Sequence, residues 1–168
     1  MVRSILAFSH ALDWLARRGA GFCLALMLFF MAVQVVARYA FNEPPSWTEE
    51  MARFMMVWVG LLGATLSFKS KADPILFHDP AEHKAFPWRL LTGIVRGVAV
   101  VLFVVPVIYF SIYGPGMDMS RGFIARQAGL SADSLGFPMS WVVISVPIWG
   151  SIILVHLAAR ACEIKLNK

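Results

Sequence analysis

Charge is in short supply in this sequence, and carboxylates most of all. There are 10 Asp and Glu in 168 residues, against 15 Lys and Arg, while 59% of the chain is apolar. A soluble domain of that length needs more polar surface, so the composition places the chain in lipid. Cysteine is limited to Cys23 and Cys162, both at or near the side expected to be cytoplasmic, where no structural disulfide is expected. His10, His78, His83 and His156 lack metal-ligand spacing, and only His156 falls in an apolar run, so the facing pair that would hold haem is missing. No Gly-x4-Gly-Lys-Ser/Thr stretch cradles a phosphate. No Ser/His/Asp or Cys/His set converges on one face. An enzyme is not expected, and neither is a cofactor or a metal.

Long apolar runs are what the sequence does have. They cover about 19–38, 50–68, 93–113 and 135–157, each near the roughly 20 residues that cross a hydrocarbon core of about 30 Å at about 1.5 Å per helical residue. They are apolar on every face, which excludes the alternating pattern of a β-barrel. The fold class is all-α integral membrane: one domain over 1–168 with four transmembrane helices. The run after Arg17 and Arg18 is longer than a signal-peptide core and no small-x-small site follows it, so it reads as an uncleaved span. Before it, residues 4–18 mix Ile5, Phe8, Leu12 and Trp14 with Ser9, His10, Asp13 and Arg17, the composition of an N-terminal interfacial amphipathic helix.

Basic residues set the expected orientation. Arg3, Arg17 and Arg18, then Lys69, Lys71, Lys84, Arg89 and Arg96, then Arg160, Lys165 and Lys168 share one side. Only Arg38, Arg53, Arg121 and Arg126 fall on the other. Both termini are therefore expected in the cytoplasm. The net charge of +5 reads as a topology signal and a contact with anionic membrane lipid. It is spread over three short segments and forms no face for nucleic acid.

Between the spans, 71–89 holds Pro74, Pro80 and Pro87 and reads as an irregular or partly helical connection. Residues 114–134 form the longest segment on the opposite side, opening on Gly-Pro-Gly and carrying a short interfacial helix in its later part. Gly60 with Ala64, Gly63 with Ser67, and Gly93 with Gly97 place small residues at i, i+4, which suits either packing within the bundle or docking onto a partner membrane protein. Pro106 and Pro147 should kink the third and fourth spans.

The connection between spans one and two, 38–53, is the most informative stretch. Ser46 with Glu49 has capping-box spacing. Glu49 and Glu50 sit where the positive end of the helix dipole favours carboxylates. Glu49 precedes Arg53 by four residues, the better orientation for a helical ion pair. Tyr39 and Trp47 fall at headgroup depth. Two readings stand. The residues cap a helix, or Arg38, Asn42, Trp47, Glu49, Glu50 and Arg53 form a patch that locks the hairpin or contacts another subunit.

An arginine-aromatic end to the first span, then Asn42, Pro45, Trp47-Thr48-Glu49-Glu50, Arg53 and Val57-Trp58-Val59-Gly60, resembles the small membrane subunit of tripartite ATP-independent periplasmic (TRAP) transporters. Leu135-Gly136-Phe137-Pro138-Met139-Ser140-Trp141, with Pro147 beyond it, is similar to that family's fourth helix. Many members carry a Gly-His stretch after span two where this chain has Lys71-Ala72-Asp73-Pro74-Ile75. The resemblance implies a multi-pass protein of the bacterial inner membrane. Its partners would be a periplasmic solute-binding protein that captures an organic acid anion and a large permease subunit that moves it with a sodium gradient. The small subunit would brace the large one and help to dock the binding protein, with no substrate or ion site of its own.

Residue chemistry agrees. Ion- or proton-coupled carriers keep an ionisable or unwound site near the midplane, and none of the four runs places a carboxylate there. Gln34, nearer the outer end, suits an interhelical hydrogen bond. The alternative is an autonomous small membrane protein, either a channel-like oligomer or a membrane enzyme. A pore would need a polar stripe along one helix, and none is present.

Overall fold

The computed structural model describes residues 2–70, 86–136 and 138–166. These residues are helical apart from turns and one isolated antiparallel bridge between Ser131 and Pro138. Helix α1 covers Val2–Val36 and continues into a π-helical turn at Ala37–Phe41. Helix α2 covers Ser46–Ser70, α3 Phe86–Ile112, α4 Phe123–Ala128, α5 Ser140–Val143 and α6 Ser145–Leu166. Four segments are long and apolar enough to cross a bilayer: Ile5–Phe41, Ser46–Ser70, Leu91–Ile112 and Ser140–Cys162. The all-α membrane fold expected from the apolar runs is the fold observed. Most of the irregular connection, with Lys71, His78, His83 and Lys84, lies outside the described residues, as does Phe137. Pro87 lies in the first turn of α3, where its missing N–H costs nothing.

Helix α6 is the centre of the bundle, packing on α1, α2 and α3. Its span is also the most enclosed, with 33% of its apolar window buried against 6% or less for the other three. Ala16 of α1, Leu62 of α2 and Ile152 of α6 form the core, flanked by Leu12, Ala20, Trp58 and Leu66. Helix α3 meets the bundle mainly through α6, so Ile94, Val98, Leu102 and Phe103 stay exposed.

The close helix crossing falls where no paired small residues announced it. A Cβ on Gly150 would stand 2.8 Å from Ile108 and 3.1 Å from Val104, so α6 meets α3 there at a distance only glycine permits. Gly19 is similarly close to Leu62, at 3.2 Å. Gly97 makes an ordinary contact with Leu157, whereas Gly60, Gly63 and Gly93 face open space and Ala64 is exposed. The small residues of α2 thus lie on the bundle's outside. Pro106 sits within a continuous α3. Pro147 lies in the first turn of α6, just after the interruption at Ile144 that separates α5 from α6. A proline ring collides with the carbonyl four residues earlier, here Val143, which accounts for a break at that point.

The expected N-terminal interfacial helix is present but is not a separate element. Its residues form the first half of α1, without a break. The two helices α1 and α2 run antiparallel, with Lys69 beside Ser9 and Trp47 beside Phe30. Residues read as interfacial are therefore docked along α2 and α6. From Val2 to the end of the π turn, α1 is about 60 Å long at about 1.5 Å per residue, twice a hydrocarbon core.

Candidate functional site

Polar side chains gather at the two ends of the bundle. Along the spans, Thr65, Ser111 and Ser151 bond the carbonyls of Leu62, Val107 and Pro147 in their own helices, which satisfies a hydroxyl without offering it to a ligand. Among the described residues, no group of three His, Cys, Asp or Glu is placed to hold a metal ion.

At the basal end, where α1 begins and α6 finishes, three helices share one network. The Ser9 hydroxyl lies 2.9 Å from His156 Nδ1, and both residues are only 3% exposed. Lys69 Nζ donates to the Ser9 carbonyl at 3.0 Å and stands 3.4 Å from His10 Nδ1 and 3.7 Å from Asp13. Asp13 also pairs with Arg17 at 3.4 Å. Arg160 donates to the Phe68 carbonyl at 2.7 Å, capping the last turn of α2, with its guanidinium over the Phe68 ring. The sequence treats Ser9, Asp13 and His156 as ordinary interface residues. In the structure they pin the start of α1 to α2 and α6. The i, i+4 spacing of Ser9 and Asp13 on one face was the only available signal.

At the opposite end, the hairpin is built from its backbone upward. The π turn widens the last turn of α1, and Asn42 then adopts left-handed backbone (φ 56°), a conformation Asn tolerates better than most residues. Residues 43–45 carry the chain to Ser46, the first helical residue of α2. Ser46 is therefore one position too far into the helix for the capping box. Instead the Thr48 hydroxyl, wholly buried, donates to the Pro45 carbonyl at 2.6 Å, and the Thr48 amide donates to it at 3.3 Å. Trp47 meets Phe30 of α1 edge-on, with ring centroids 6.0 Å apart.

The two adjacent carboxylates divide their work. Glu50 turns toward the outer connection and accepts the amides of Asp133 and Ser134, each at 3.0 Å. The connection is itself closed by the Met139 amide on the Leu130 carbonyl at 2.9 Å, with Ala132 buried. Its earlier part holds a 3-10 turn, Met119–Arg121, capped by Asp118, and then α4, the short helix the sequence anticipated. The Ser120 hydroxyl and amide hold the Asp118 carboxyl below the usual carboxylate range. Glu49 instead pairs with Arg53, as the i, i+4 spacing predicts, and Gln34 and Arg38 flank the same carboxylate. Gln34, Val35, Arg38, Tyr39 and Glu49 line a shallow open cleft of about 350 Å³ between the two helices.

The structure thus separates the six residues singled out from the sequence. Asn42, Trp47 and Glu50 hold the hairpin and its neighbouring connection. Arg38, Glu49 and Arg53 line or flank the exposed cleft, with the Arg53 side chain 69% exposed. The bond from Glu50 to the loop 83 residues away has no local sequence signature.

Comparison with known proteins meets this geometry from another direction. Residues 27–165 match the family described as tripartite ATP-independent periplasmic transporters, DctQ component. A Vibrio cholerae protein, the sialic acid TRAP transporter small permease protein SiaQ, is 26% identical over 129 residues, covering 76% of this chain and 68% of its own. A Haemophilus influenzae chain described as a TRAP transporter small permease protein is 47% identical over 45 residues. That match spans 27% of this chain and 28% of the relative's length. The family match takes in the end of α1, the hairpin, the remaining spans and the central helix α6, and the chain belongs to the DctQ component family of the tripartite ATP-independent periplasmic transporters.

Proposed function

We propose that this chain is a non-catalytic accessory subunit that braces the large permease of a TRAP importer. In that assembly a periplasmic binding protein delivers an organic acid anion and the large subunit moves it with a sodium gradient. A carboxylated substrate is in keeping with the sialic acid transporter named for the Vibrio relative. The protein would lie in the bacterial inner membrane with the basal end, and both termini, in the cytoplasm, following the excess of Lys and Arg on that side.

The observation that carries the reading is the distribution of polar contacts. They fasten helices together at one end and shape a hairpin at the other. Among the described residues, the level between holds Ala16, Leu62, Ile152 and their apolar neighbours, with the buried Thr65 hydroxyl bonded within its own helix. Such a bundle can hold a partner in place, whereas coupled transport needs a site that binds and releases an ion near the midplane. On this reading Arg38, Glu49 and Arg53 contact the large subunit, and the exposed small residues Gly60 and Ala64 continue that contact along α2.

Co-expression with a tagged large permease tests it. The chain should co-purify with the permease in stoichiometric amount after detergent extraction. Purification alone, or as a homo-oligomer while the permease elutes separately, would overturn the assignment in favour of an autonomous membrane protein.

A further inference from the structure

Resting on the subunit reading above, we infer that the cleft around Arg38 is the receptor for a carboxylate side chain of the large permease. Three observations carry it. First, Arg53 pairs with Glu49 and Arg38 flanks the same carboxylate, so two guanidinium groups share it. The cleft and its rim therefore hold two guanidinium groups and one carboxylate, an excess of one positive charge. Second, Arg38 lies at the end of a membrane span, where its long side chain reaches the headgroup level and a partner of opposite charge can meet it. A guanidinium presents a planar fork that matches a carboxylate through two parallel bonds. Third, the cleft is open and its apolar walls are uncovered: Tyr39 is 81% exposed and Val35 55%. An Asp or Glu on the partner, with an apolar neighbour one turn away, would satisfy both the charge and the walls. The exposed face of α3, by contrast, is apolar at Ile94, Val98 and Leu102, which suits lipid.

The side of α2 beneath the cleft continues the same surface. Val57, Gly60 and Ala64 lie below Arg53 at helical spacing and are exposed, and a side chain on Gly60 would meet nothing within 4 Å. A partner helix anchored at Arg38 could run down this face at close range.

The test uses the complex with a co-expressed, tagged permease and a photoreactive benzoylphenylalanine in place of Tyr39 or, on α3, Leu102. An adduct between position 39 and the permease, mapping within one helical turn of an Asp or Glu, is expected, with none from position 102. Arg38→Glu should lower co-purification about tenfold or more, as a like-charge contact does, and reversal of the mapped carboxylate to Arg should restore it. Because Arg38 is exposed and hydrogen-bonds no other described side chain, Arg38→Glu should leave the isolated subunit folded and monodisperse. Retention by Arg38→Glu at the wild-type level, or adducts from position 102 alone, would overturn the inference. So would labelling of lipid alone at position 39, with Arg38→Lys fully active, since this would identify a headgroup phosphate as the occupant. Failure of the wild-type chain to co-purify would instead remove the subunit reading itself, and this inference with it.

Discussion

At the basal end of the bundle Ser9 and His156 turn inward, whereas at the hairpin end Arg38 and Arg53 turn outward. Ser9 and His156 are almost fully buried, and Lys69 ties them to Asp13 across three helices. Arg38 and Arg53, at the other end, stand at the surface beside a cleft. Both ends are rich in polar groups, yet the inward ones are fastened within this chain, with His156 Nε2 left buried and unpartnered among the described residues, while Arg38 and Arg53 look outward. A low-dielectric interior makes a satisfied network strong and an unsatisfied one expensive. Charges left at the surface of a membrane span call for a protein or headgroup partner. The division of labour between the ends follows from that contrast, and each of the following experiments either sharpens it or breaks it.

The largest effect belongs to the basal network. His156→Ala should cost about 2–4 kcal/mol, from the cavity plus the stranded Ser9 hydroxyl, visible as a lowered melting temperature of the detergent-solubilised subunit. A melting temperature equal to wild type would remove the buried network as a source of stability. Gly150→Leu should come next. The new side chain cannot fit between α6 and Ile108 of α3, an overpacking penalty of about 1–3 kcal/mol. Gly60→Leu, on the open face of α2, should leave the isolated subunit as stable as before and weaken its association with the permease. Equal melting for the two variants would erase the distinction between inner and outer glycines.

Glu50 gives a smaller effect. Glu50→Ala strands the amides of Asp133 and Ser134 and should cost about 1 kcal/mol at this partly exposed site. A cysteine at Ser134 should then label faster with a membrane-impermeant maleimide. Glu50→Gln, which can accept only one of the two amides well, should fall between. Labelling equal in all three would mean that the hairpin and the outer connection are not fastened. The smallest effect is a pH response at Asp118. Its folded pKa is depressed by Ser120, so the cap is fully present above the unfolded value near 3.9 and lost as pH falls through the folded one. Ser120→Ala, which removes the hydroxyl and keeps the amide, should reduce that slight acid-side loosening of the 118–122 turn, read by amide exchange, and should not alter the basal end.

The sequence made the spans and the Glu49–Arg53 pair legible because both depend on local periodicity. The docking of residues 9–17 was not legible for a physical reason: isolated polar groups among apolar ones look the same whether they face water or a partner helix. Their partners Lys69 and His156 are distant in sequence. Gly150 escaped notice because it has no small neighbour at i, i+4, whereas Gly60, Gly63 and Gly93, which do have one, face open space. The capping box failed by one residue, since Thr48 and Pro45 already close the start of α2. The bond from Glu50 to Asp133 and Ser134 depends on the tertiary arrangement of α2 and α6, which no local pattern encodes.

The division between a self-contained bundle and an outward-facing contact end comes down to whether this chain moves solute itself. Proteoliposomes containing the subunit alone, and others containing it with its permease and binding protein, should be compared for accumulation of an organic acid anion under an inward sodium gradient. Accumulation is expected only in the complete system. A gradient-driven signal from the subunit alone would contradict the account.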